Sequence, residues 1–546
     1  MKISLAQTDL IIGDFEGNFQ KICNCIEEAR THNSDLVCFT ELVTTGYPPK
    51  DLLEYERFIQ GSNQLIEKLL PESSDIGILL GAPLKNKNPQ GKPLYNAGIL
   101  LHEGIFKEIR YKTLLPTYDV FDEYRYFEPA DQWNIIHFKG KKIALTICED
   151  LWNIGSQRPL YGKVPMEELM EYQPDLMINL SASPFSIRHG QTRLEVMKKN
   201  AAHYQLPLFY INQVGAHTDL IFDGGSAVFT PQGEIFEELP LFQNSVKTFD
   251  LQEVTQFKSS KITPHPAQEY LLHEALIYGI KSFFEKLGMK KAILGLSGGI
   301  DSAVTAYLVT RALGAENVLG ILMPSKFSSS HSVDDAVQLA NNLKIKHHII
   351  PIHSVVDAFD NSLKELFNDL PFSLAEENIQ ARSRGNILMA ISNKLGHILL
   401  NTSNKSEIAV GYGTLYGDLC GALSVLGDVY KTEVYRLANY INRENEIIPW
   451  NSIHKAPSAE LRPDQKDQDS LPPYEILDQI LIQYLEEKKS SYEIEVPENE
   501  KYWVSKILKM VNHNEFKRYQ TPPILRVSQK AFGTGRRMPI VAKFFL

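Results

Sequence analysis

Short apolar runs alternate with helical segments in both halves of the chain, and this alternation limits the possible folds more than any other feature. A helical segment near residues 19–29 repeats apolar residues at spacings of three and four. Apolar runs that are typical of buried strands occupy residues 36–42, 76–83, 142–150 and 175–185. We therefore expect the first half to be an α/β layered domain.

A second series of the same kind follows a polar segment with two prolines near residues 245–265. Residues 268–287 have a helical pattern, and residues 292–314 predict a strand, a glycine turn and a helix. A chain of 546 residues also exceeds the usual ~100–200 residues of one domain. The sequence thus predicts two α/β domains with a linker between them, at residues 1–245, 246–264 and 265–546.

Charge and cysteine content exclude several classes of protein. The chain has 56 basic and 66 acidic residues, a net charge of −10, which argues against nucleic acid as a partner. Its 5 cysteines include no CxxC pair, so neither a disulfide framework nor a zinc site is expected. Acidic residues at positions 9 and 14 argue against a signal peptide, and no apolar run approaches a membrane span. We expect a cytoplasmic protein that does not interact with membranes.

Three reactive side chains follow predicted strands in the first half. Cys148 ends an apolar run, Glu41 ends another, and Lys112 follows the strand-like sequence GIFKEIRY. A carboxylate can take the proton of a thiol, and an ammonium can stabilise a thiolate and a developing oxyanion. Each residue alone is compatible with an ordinary structural role, whereas the three together indicate nucleophilic chemistry.

The sequences around these residues resemble motifs of the nitrilase, or carbon–nitrogen hydrolase, superfamily. The motifs are FTELVTTGYPPKDLL, YKTLLPTYDVFDEYRYF and LTICEDLW, in that order. The resemblance implies an αββα sandwich in which Glu41 is the general base, Lys112 the electrostatic partner and Cys148 the nucleophile. It also implies that Glu123 orients Lys112.

The glutaminase branch of that superfamily implies glutamine as the substrate of this domain. Tyr118 and Ser183 match positions that hold glutamine in the branch. A lysine that usually follows the Ser-Pro-Phe turn is replaced here by the sequence Ser186-Ile187-Arg188-His189. Either Arg188 or His189 therefore remains a candidate for contacting glutamine.

A glycine turn in the second half has the composition of a phosphate-binding loop. It comprises Gly295, Leu296, Ser297, Gly298, Gly299, Ile300, Asp301 and Ser302. Adjacent glycines allow backbone amides to approach a ligand, and the following helix directs its positive end to the same place. The carboxylate of Asp301 fits beside phosphate only with a cation between them, for which Mg²⁺ is the natural choice. A Walker A lysine is absent from the turn.

The turn resembles the SGGxDS loop of N-type ATP pyrophosphatases, and later motifs resemble those of NAD synthetases. These later motifs are EENIQARSRG (376–385), NTSNKSE (401–407), VGYGTLYGD (410–418), EFKR (515–518) and FGTGRR (532–537). The resemblance implies a doubly wound, Rossmann-like parallel sheet. Basic residues within or near these motifs, Arg382, Arg384, Lys431 and Lys517, supply local positive charge to a net-acidic chain.

The same resemblance implies a set of binding residues in the second domain. Besides the glycine turn, the residues implied for ATP are Thr402 and Lys431. Those implied for deamido-NAD are Asn378, Arg382, Glu407 and Lys517. Asp301 and Glu407 are implied near Mg²⁺, and the sequence leaves open whether Glu407 contacts metal or nucleotide.

Together, the two resemblances imply an enzyme that releases ammonia from glutamine and uses it to convert deamido-NAD to NAD, a product with no redox role here. The first domain forms a glutamyl thioester, and the second adenylates the nucleotide carboxylate at the expense of ATP. We expect the ammonia to pass between the domains without mixing with bulk water, and both families imply a homo-oligomer. Three alternatives are an amidotransferase of the same type with another acceptor, an amidase with a nucleotide-sensing module, and a non-enzymatic scaffold.

Overall fold

A computed structural model describes residues 1–154, 159–257, 266–368, 370–463 and 465–542. The chain forms two compact units, Met1–His265 (unit 1) and Pro266–Leu546 (unit 2). Among the described residues, no helix combines the length and apolar composition that a membrane span requires.

Unit 1 is built mainly of strands. Its strands are β1 (Lys2–Gln7), β2 (Leu36–Cys38), β3 (Gly77–Lys85), β4 (Leu94–His102), β5 (Ile105–Tyr111), β6 (Ile136–Phe138), β7 (Lys141–Ile147), β8 (Leu176–Ser181), β9 (Leu208–Asn212), β10 (Val214–His217), β11 (Leu220–Asp223), β12 (Ala227–Phe229), β13 (Ile235–Glu238) and β14 (Ser245–Asp250). Its α-helices are α1 (Phe15–Thr31), α2 (Glu56–Leu69), α3 (Pro165–Met170), α4 (His189–Tyr204) and α5 (Leu251–Gln256).

Two six-stranded sheets and a separate hairpin of β10 and β11 organise these strands. The sheet orders are β14-β1-β2-β3-β4-β5 and β13-β12-β9-β8-β7-β6. Alternate residues of β2 face opposite sides, as expected for a strand. Leu36 and Cys38 pack with Leu145 between the sheets, whereas Val37 packs with Ile26 of α1 on the outer face. Residues of α3 and α4 pack on the second sheet, so the predicted αββα sandwich is confirmed.

Unit 2 combines a small sheet with many helices. Its strands are β15 (Ala292–Gly295), β16 (Val318–Leu322), β17 (Lys346–Ile349), β18 (Ile398–Asn401) and β19 (Leu423–Ser424). Its α-helices are α6 (Gln268–Lys286), α7 (Ile300–Leu313), α8 (Ser330–Leu343), α9 (His353–Phe367), α10 (Leu374–Leu395), α11 (Lys405–Val410), α12 (Lys431–Ile441), α13 (Trp450–His454), α14 (Tyr474–Leu485), α15 (Tyr502–His513) and α16 (Glu515–Arg518).

The strands of unit 2 form one parallel sheet in the order β17-β16-β15-β18-β19. Helix α10 packs on it through Leu388, which contacts a core that includes Ile293 and Leu399. Ala292 and Leu294 alternate with Ile293 and are also fully buried, and α7 packs against β15 and β16. A parallel sheet that is buried on both sides confirms the predicted Rossmann-like architecture.

The predicted linker at 246–264 is wrong over its first part. Residues 245–250 form β14, which pairs with β1 in an antiparallel register from Lys2↔Asp250 to Gln7↔Ser245. Helix α5 follows directly and buries Leu251 and Val254. The polar composition of this segment hid a strand at the sheet edge, where one face is solvated. Residues 258–264 of the predicted linker lie outside the described residues.

The segment that carries Glu41 crosses β3 at a glycine. The expected strand at 36–42 ends at Cys38 in the structure, and residues 40–42 then pass over Gly81. Gly81 N–H donates to the carbonyl oxygen of Thr40 at 3.2 Å. A Cβ on Gly81 would lie 2.4 Å from the backbone nitrogen of Leu42 and 2.7 Å from Cα of Glu41. Only glycine allows this close approach of two backbones.

Gly81→Ala should lower the free energy of unfolding of unit 1 by about 1–3 kcal/mol, because the added methyl group forces the 40–42 segment off β3. Thermal unfolding of the full chain measures this change. Gly162→Ala is the matched control, since no heavy atom of the described residues, its chain neighbours apart, lies within 4 Å of its Cβ position. Equal unfolding midpoints for Gly81→Ala and the control would contradict this account of the crossing.

Candidate active sites

Lys112 lies between two carboxylates in the interior of unit 1. Its Nζ donates to Glu41 Oε1 and to Glu123 Oε2, each at 2.7 Å. The side chains of Lys112 and Glu41 are 0% exposed, and that of Glu123 is 6% exposed. Asn96 Nδ2 also donates to Glu41 at 2.7 Å, and the N–H of Ala182 does so at 3.2 Å. The sequence-predicted residues Glu41, Lys112 and Glu123 therefore form one hydrogen-bonded cluster.

Burial and charge act in opposite directions on this cluster. Burial favours neutral Lys112, but the carboxylates of Glu123 and Glu41 outweigh it and hold the pKa of Lys112 well above its usual value. Burial raises the pKa of Glu123 to about 7 against the opposing effect of Lys112, and the charge of Glu41 raises it further. The phenol of Tyr47 donates to Glu123 at 2.8 Å. The cluster thus consists of a charged Lys112 and two carboxyl groups, of which that of Glu123 titrates near neutrality.

Cys148 follows β7 in a strained turn at this cluster. Its φ is +43°, a conformation that is uncommon for a residue with a side chain. Asp150 secures the turn, because its carboxylate accepts hydrogen bonds from the N–H groups of Ile147, Thr113 and Leu114 at 2.8–3.0 Å. The turn is therefore fixed to the segment that follows Lys112.

The thiol of Cys148 is electrostatically linked to the cluster. Burial raises its pKa well above the ordinary value, the charge of Glu41 adds to this increase, and Lys112 opposes it. The thiol is consequently protonated at neutral pH, so nucleophilic attack requires a base close by. Glu41 is the carboxylate whose charge acts most strongly on the thiol. A protonated thiol under the influence of a nearby carboxylate is compatible with general-base activation of the thiol.

The predicted glutamine-binding residues occur in two pairs of contacts. Tyr118 is 42% exposed, and its phenol donates to both oxygens of Glu149 at 3.0 and 3.1 Å. Ser183 Oγ lies 3.0 Å from Nε2 of His189, the ring of which stacks on Trp152. Of the two residues that the sequence left open, His189 is therefore the one in contact with Ser183.

In unit 2 the glycine turn forms one wall of a cavity of about 330 Å³. Ser297 and Ser302 are joined through their hydroxyl oxygens at 3.1 Å, and Gly299 N–H donates to Ser297 Oγ at 3.2 Å. Gly298 has a φ of +77°, and a Cβ there would lie 2.1 Å from the carbonyl oxygen of Ser332. The turn is thus held compact by its own hydroxyl groups and admits no side chain at Gly298.

The acidic residues beside the turn share one ammonium group. Lys431 Nζ is paired with Asp301 and lies 3.9 Å from Glu407, and all three residues line the cavity. Asp467 also lines it and accepts hydrogen bonds from Tyr474 and Tyr412 at 2.8 and 3.3 Å. Burial raises the pKa of Glu407 well above its usual value, and the charge of Asp301 increases this effect. The cavity therefore has more carboxylates than cations.

This excess of carboxylates fits a divalent cation that shares its ligands with phosphate. In the described ranges, no group of three or more His, Cys, Asp or Glu side chains could hold a metal ion by itself. Mg²⁺ usually takes one or two carboxylates and completes its shell with water and substrate phosphates. Asp301 and Glu407 are close enough to one another for their charges to interact, and both face the cavity.

The residues predicted for deamido-NAD are divided between two places. Asn378 accepts a hydrogen bond from Thr414 Oγ1 at 2.7 Å, and Arg382 Nε donates to the carbonyl oxygen of Leu415 at 3.2 Å. Lys517 Nζ donates to carbonyl oxygens of the same segment, at residues 411 and 413. Glu407 instead lines the cavity, as Thr402 and Lys431 do. Three of the four residues thus surround the 411–415 segment.

Several residues in these sites were not assigned from the sequence. They are Tyr47, Asn96, Glu149, Asp150 and Tyr161 in unit 1, and Asp467 in unit 2. Tyr161 donates to Glu149 at 3.1 Å from a separate loop, which no local pattern predicts. Glu149 and Asp150 directly follow Cys148, and this adjacency is the sequence feature that could have identified them.

Comparisons with known proteins agree with this division into two sites. The carbon-nitrogen hydrolase family model matches residues 2–259, and the NAD synthase family model matches residues 272–521. The first match contains the Cys148 cluster, and the second contains the glycine-turn cavity. Fold and sites thus define a chain with a carbon–nitrogen hydrolase unit and a NAD synthase unit.

Relatives that span the whole chain combine both units. The glutamine-dependent NAD(+) synthetase of Synechocystis is 45% identical, with 99% of each chain covered, and that of Thermotoga maritima is 37% identical over 100% of this chain and 99% of its own. A solved glutamine-dependent NAD+ synthetase of Acinetobacter baumannii in complex with ADP is 35% identical, has a TM-score of 0.78 and covers 99% of this chain and 98% of its own. The chain belongs to the family of glutamine-dependent NAD(+) synthetases.

Glu123 should make the stability of the protein depend on pH. Its pKa is about 7 in the folded chain and about 4.5 for an ordinary glutamate, so the folded state binds the proton more tightly. The resulting stabilisation is complete below about pH 4.5 and is lost as the pH rises through 7. In Glu123→Gln, the number of protons that the chain releases on unfolding in this pH range should fall by up to about one.

Denaturant unfolding between pH 4.5 and 8 measures the linkage for the full chain. Glu103→Gln is the control, because Glu103 is exposed and its pKa is lowered by Lys107. The control should follow the native profile in this range. Parallel profiles for the native chain and Glu123→Gln would show that Glu123 is not the titrating group.

Proposed function

We propose that the chain catalyses the ATP-dependent amidation of deamido-NAD with glutamine as the nitrogen donor. The products are NAD, glutamate, AMP and diphosphate. The observation that carries this proposal is the presence, on one polypeptide, of a thiol beside Glu41 and Lys112 and of a cavity behind a glycine turn. One site suits amide cleavage, and the other suits a nucleoside triphosphate.

In the first reaction, Cys148 attacks the side-chain amide carbon of glutamine while Glu41 takes the thiol proton. The ammonium of Lys112 stabilises the oxyanion that forms, and the amide nitrogen leaves as ammonia after it is protonated. Water then cleaves the glutamyl thioester to glutamate and restores the thiol. In this scheme Glu123 positions Lys112 by accepting a hydrogen bond from its ammonium, and Tyr47 holds Glu123 by donating to the same carboxylate.

Glutamine recognition follows from the groups that surround the thiol. Tyr118, Ser183 and His189 are the residues we assign to it. Glu149 adds a carboxylate that is buried and hydrogen-bonded to two phenols, and burial raises its pKa. Among the described residues Glu149 forms no ion pair, and the α-ammonium group of glutamine would supply a cation to it.

In the second reaction, the carboxylate of deamido-NAD attacks the α-phosphate of ATP and displaces diphosphate. Ammonia then attacks the adenylated carboxyl carbon, and AMP leaves. We assign the turn 295–302, Thr402 and Lys431 to ATP, and Asn378, Arg382, Glu407 and Lys517 to deamido-NAD. Mg²⁺, held by Asp301 and Glu407, would offset the negative charge of the polyphosphate.

The wider setting of the enzyme is also part of the proposal. All five cysteines are free thiols, which suits a reducing cytoplasm. Because ammonia is mostly protonated and unreactive in neutral water, we propose that it reaches the second site without equilibrating with solvent. The families that the chain resembles imply a homo-oligomer.

The decisive assay follows AMP and diphosphate from the purified full chain with glutamine, ATP, Mg²⁺ and deamido-NAD. Equal amounts of AMP, diphosphate and NAD are expected, and each should require deamido-NAD. AMP formation with a different carboxylate instead would identify an amidotransferase for another acceptor. Glutamine hydrolysis with no AMP under any condition would leave an amidase and would contradict the proposal.

Cys148→Ala should abolish NAD synthesis from glutamine, with a loss of at least about 10³-fold, because no thioester can form. Synthesis from added ammonium should remain within about twofold of the native rate at high pH, where free ammonia is abundant. Fluorescence of the NADH that alcohol dehydrogenase forms from the NAD product measures both rates. Loss of the ammonium-driven rate in a folded Cys148→Ala protein would contradict the separate roles of the two sites.

Asp301→Asn should show the complementary pattern. It removes a carboxylate from the cavity, so NAD synthesis from either nitrogen source should fall by at least about 10²-fold. Glutamate release at the Cys148 site should continue, since Asp301 belongs to the other unit. Unchanged synthesis in this variant at limiting Mg²⁺ would remove Asp301 from the nucleotide site.

A further inference from the structure

Helix α10 presents two different faces to its surroundings. Ala381, Arg384 and Leu388, at spacings of three and four, line the cavity behind the glycine turn. Asn378 and Arg382, on another face, contact residues 414 and 415. Arg384 therefore belongs to the wall of the nucleotide cavity and not to the group of residues predicted for deamido-NAD.

Arg384 is a mostly buried cation that lacks an anionic partner. Its Nε donates to the carbonyl oxygen of Met323 at 3.0 Å. Among the residues that the structure describes, no carboxylate forms an ion pair or a hydrogen bond with its guanidinium group. Burial lowers the pKa of Arg384 to about 10, and the more distant charges of Glu460 and Asp418 only partly offset this effect.

The two nearest carboxylates are already engaged by other donors. Glu460 accepts hydrogen bonds from the hydroxyl groups of Ser332 and Ser329 at 2.7 and 2.9 Å. Asp418 accepts one from the N–H of Thr414 at 2.6 Å. A buried guanidinium is costly when it is unpaired. The partner of Arg384 is therefore expected to come from the cavity.

The position of Arg384 identifies the class of anion. Met323, to which it is anchored, directly follows β16, and β16 pairs with β15, which leads into the glycine turn. A Cβ on Gly295 would lie 3.4 Å from the methyl group of Met323. Arg384 thus occupies the same carboxyl edge of the sheet as the predicted phosphate-binding turn, where α/β proteins bind nucleotides.

We propose that Arg384 binds a phosphate group of ATP, and of the diphosphate product, through its two terminal nitrogens. This inference rests on the proposed function, because it takes the cavity to be the ATP site. With Nε fixed on Met323, the guanidinium plane is held in one orientation, and its remaining N–H groups match two phosphate oxygens. Arg384 supplies a fixed positive charge to a site where Lys431 is already paired with Asp301.

Equilibrium titration of the full chain with ATP and Mg²⁺, in the absence of deamido-NAD, tests the proposal. Arg384→Gln should weaken ATP binding by about 10- to 100-fold, the usual effect of losing hydrogen bonds to a charged group. Binding of inorganic diphosphate should weaken in parallel. The ATP affinity of Arg384→Lys should fall between those of the native protein and Arg384→Gln, because lysine keeps the charge but not the planar guanidinium group.

Arg436→Met is the matched control, since Arg436 is a 53% exposed arginine of the same unit whose nearest carboxylate, on Glu433, lies 3.7 Å away. Its ATP affinity should stay within twofold of the native value. Thermal unfolding without ligand should give similar midpoints for native and Arg384→Gln proteins, whereas a purely structural role for Arg384 would lower the midpoint and leave ATP affinity unchanged.

Two results would overturn the inference while leaving the proposed function intact. One is native ATP affinity in Arg384→Gln. The other is a change of about tenfold or more in the KM of deamido-NAD alone, which would make the nucleotide carboxylate the partner of Arg384. Failure of the native chain to bind ATP would instead overturn the proposed function itself.

Discussion

The buried ion cluster of Glu41, Lys112 and Glu123 is the constraint on which unit 1 depends. A lysine with no exposed surface is tolerable only when its charge is neutralised at close range, and here two carboxylates share that task. Since the three side chains come from segments after β2, after β5 and from a separate turn, their pairing fixes those segments against one another. The charges of these three side chains act in turn on the thiol of Cys148.

The cavity of unit 2 differs from this cluster, because its charged side chains do not balance one another among the described residues. Asp301, Glu407 and Asp467 exceed the one ammonium beside them, while Arg384 on another wall has no carboxylate in contact among the described residues. Lys431 is paired with Asp301, whereas Arg384 contacts none of these carboxylates among the described residues. Bound polyphosphate with Mg²⁺ would complement both the guanidinium of Arg384 and the excess of carboxylates.

Sequence patterns predicted the fold class of both units, because apolar periodicity and the glycine turn are local signals. They also selected Glu41, Lys112, Glu123 and Cys148, although the strand before Glu41 proved shorter than expected. These local patterns could not predict contacts between segments that lie far apart in the sequence. Tyr161 meets Glu149 only through a loop, and β14 was taken for a linker because its pairing with β1 spans the whole unit. The roles assigned to individual residues remain predictions.

Helix α10 extends over 22 residues without interruption, from Leu374 to Leu395. One face of the helix lines the cavity, and another contacts the hydroxyl group of Thr414 and the carbonyl oxygen of Leu415. A stiff element of this kind cannot shift at one surface and stay still at the other. A displacement of this helix would therefore move the cavity wall and the contacts at residues 414 and 415 together.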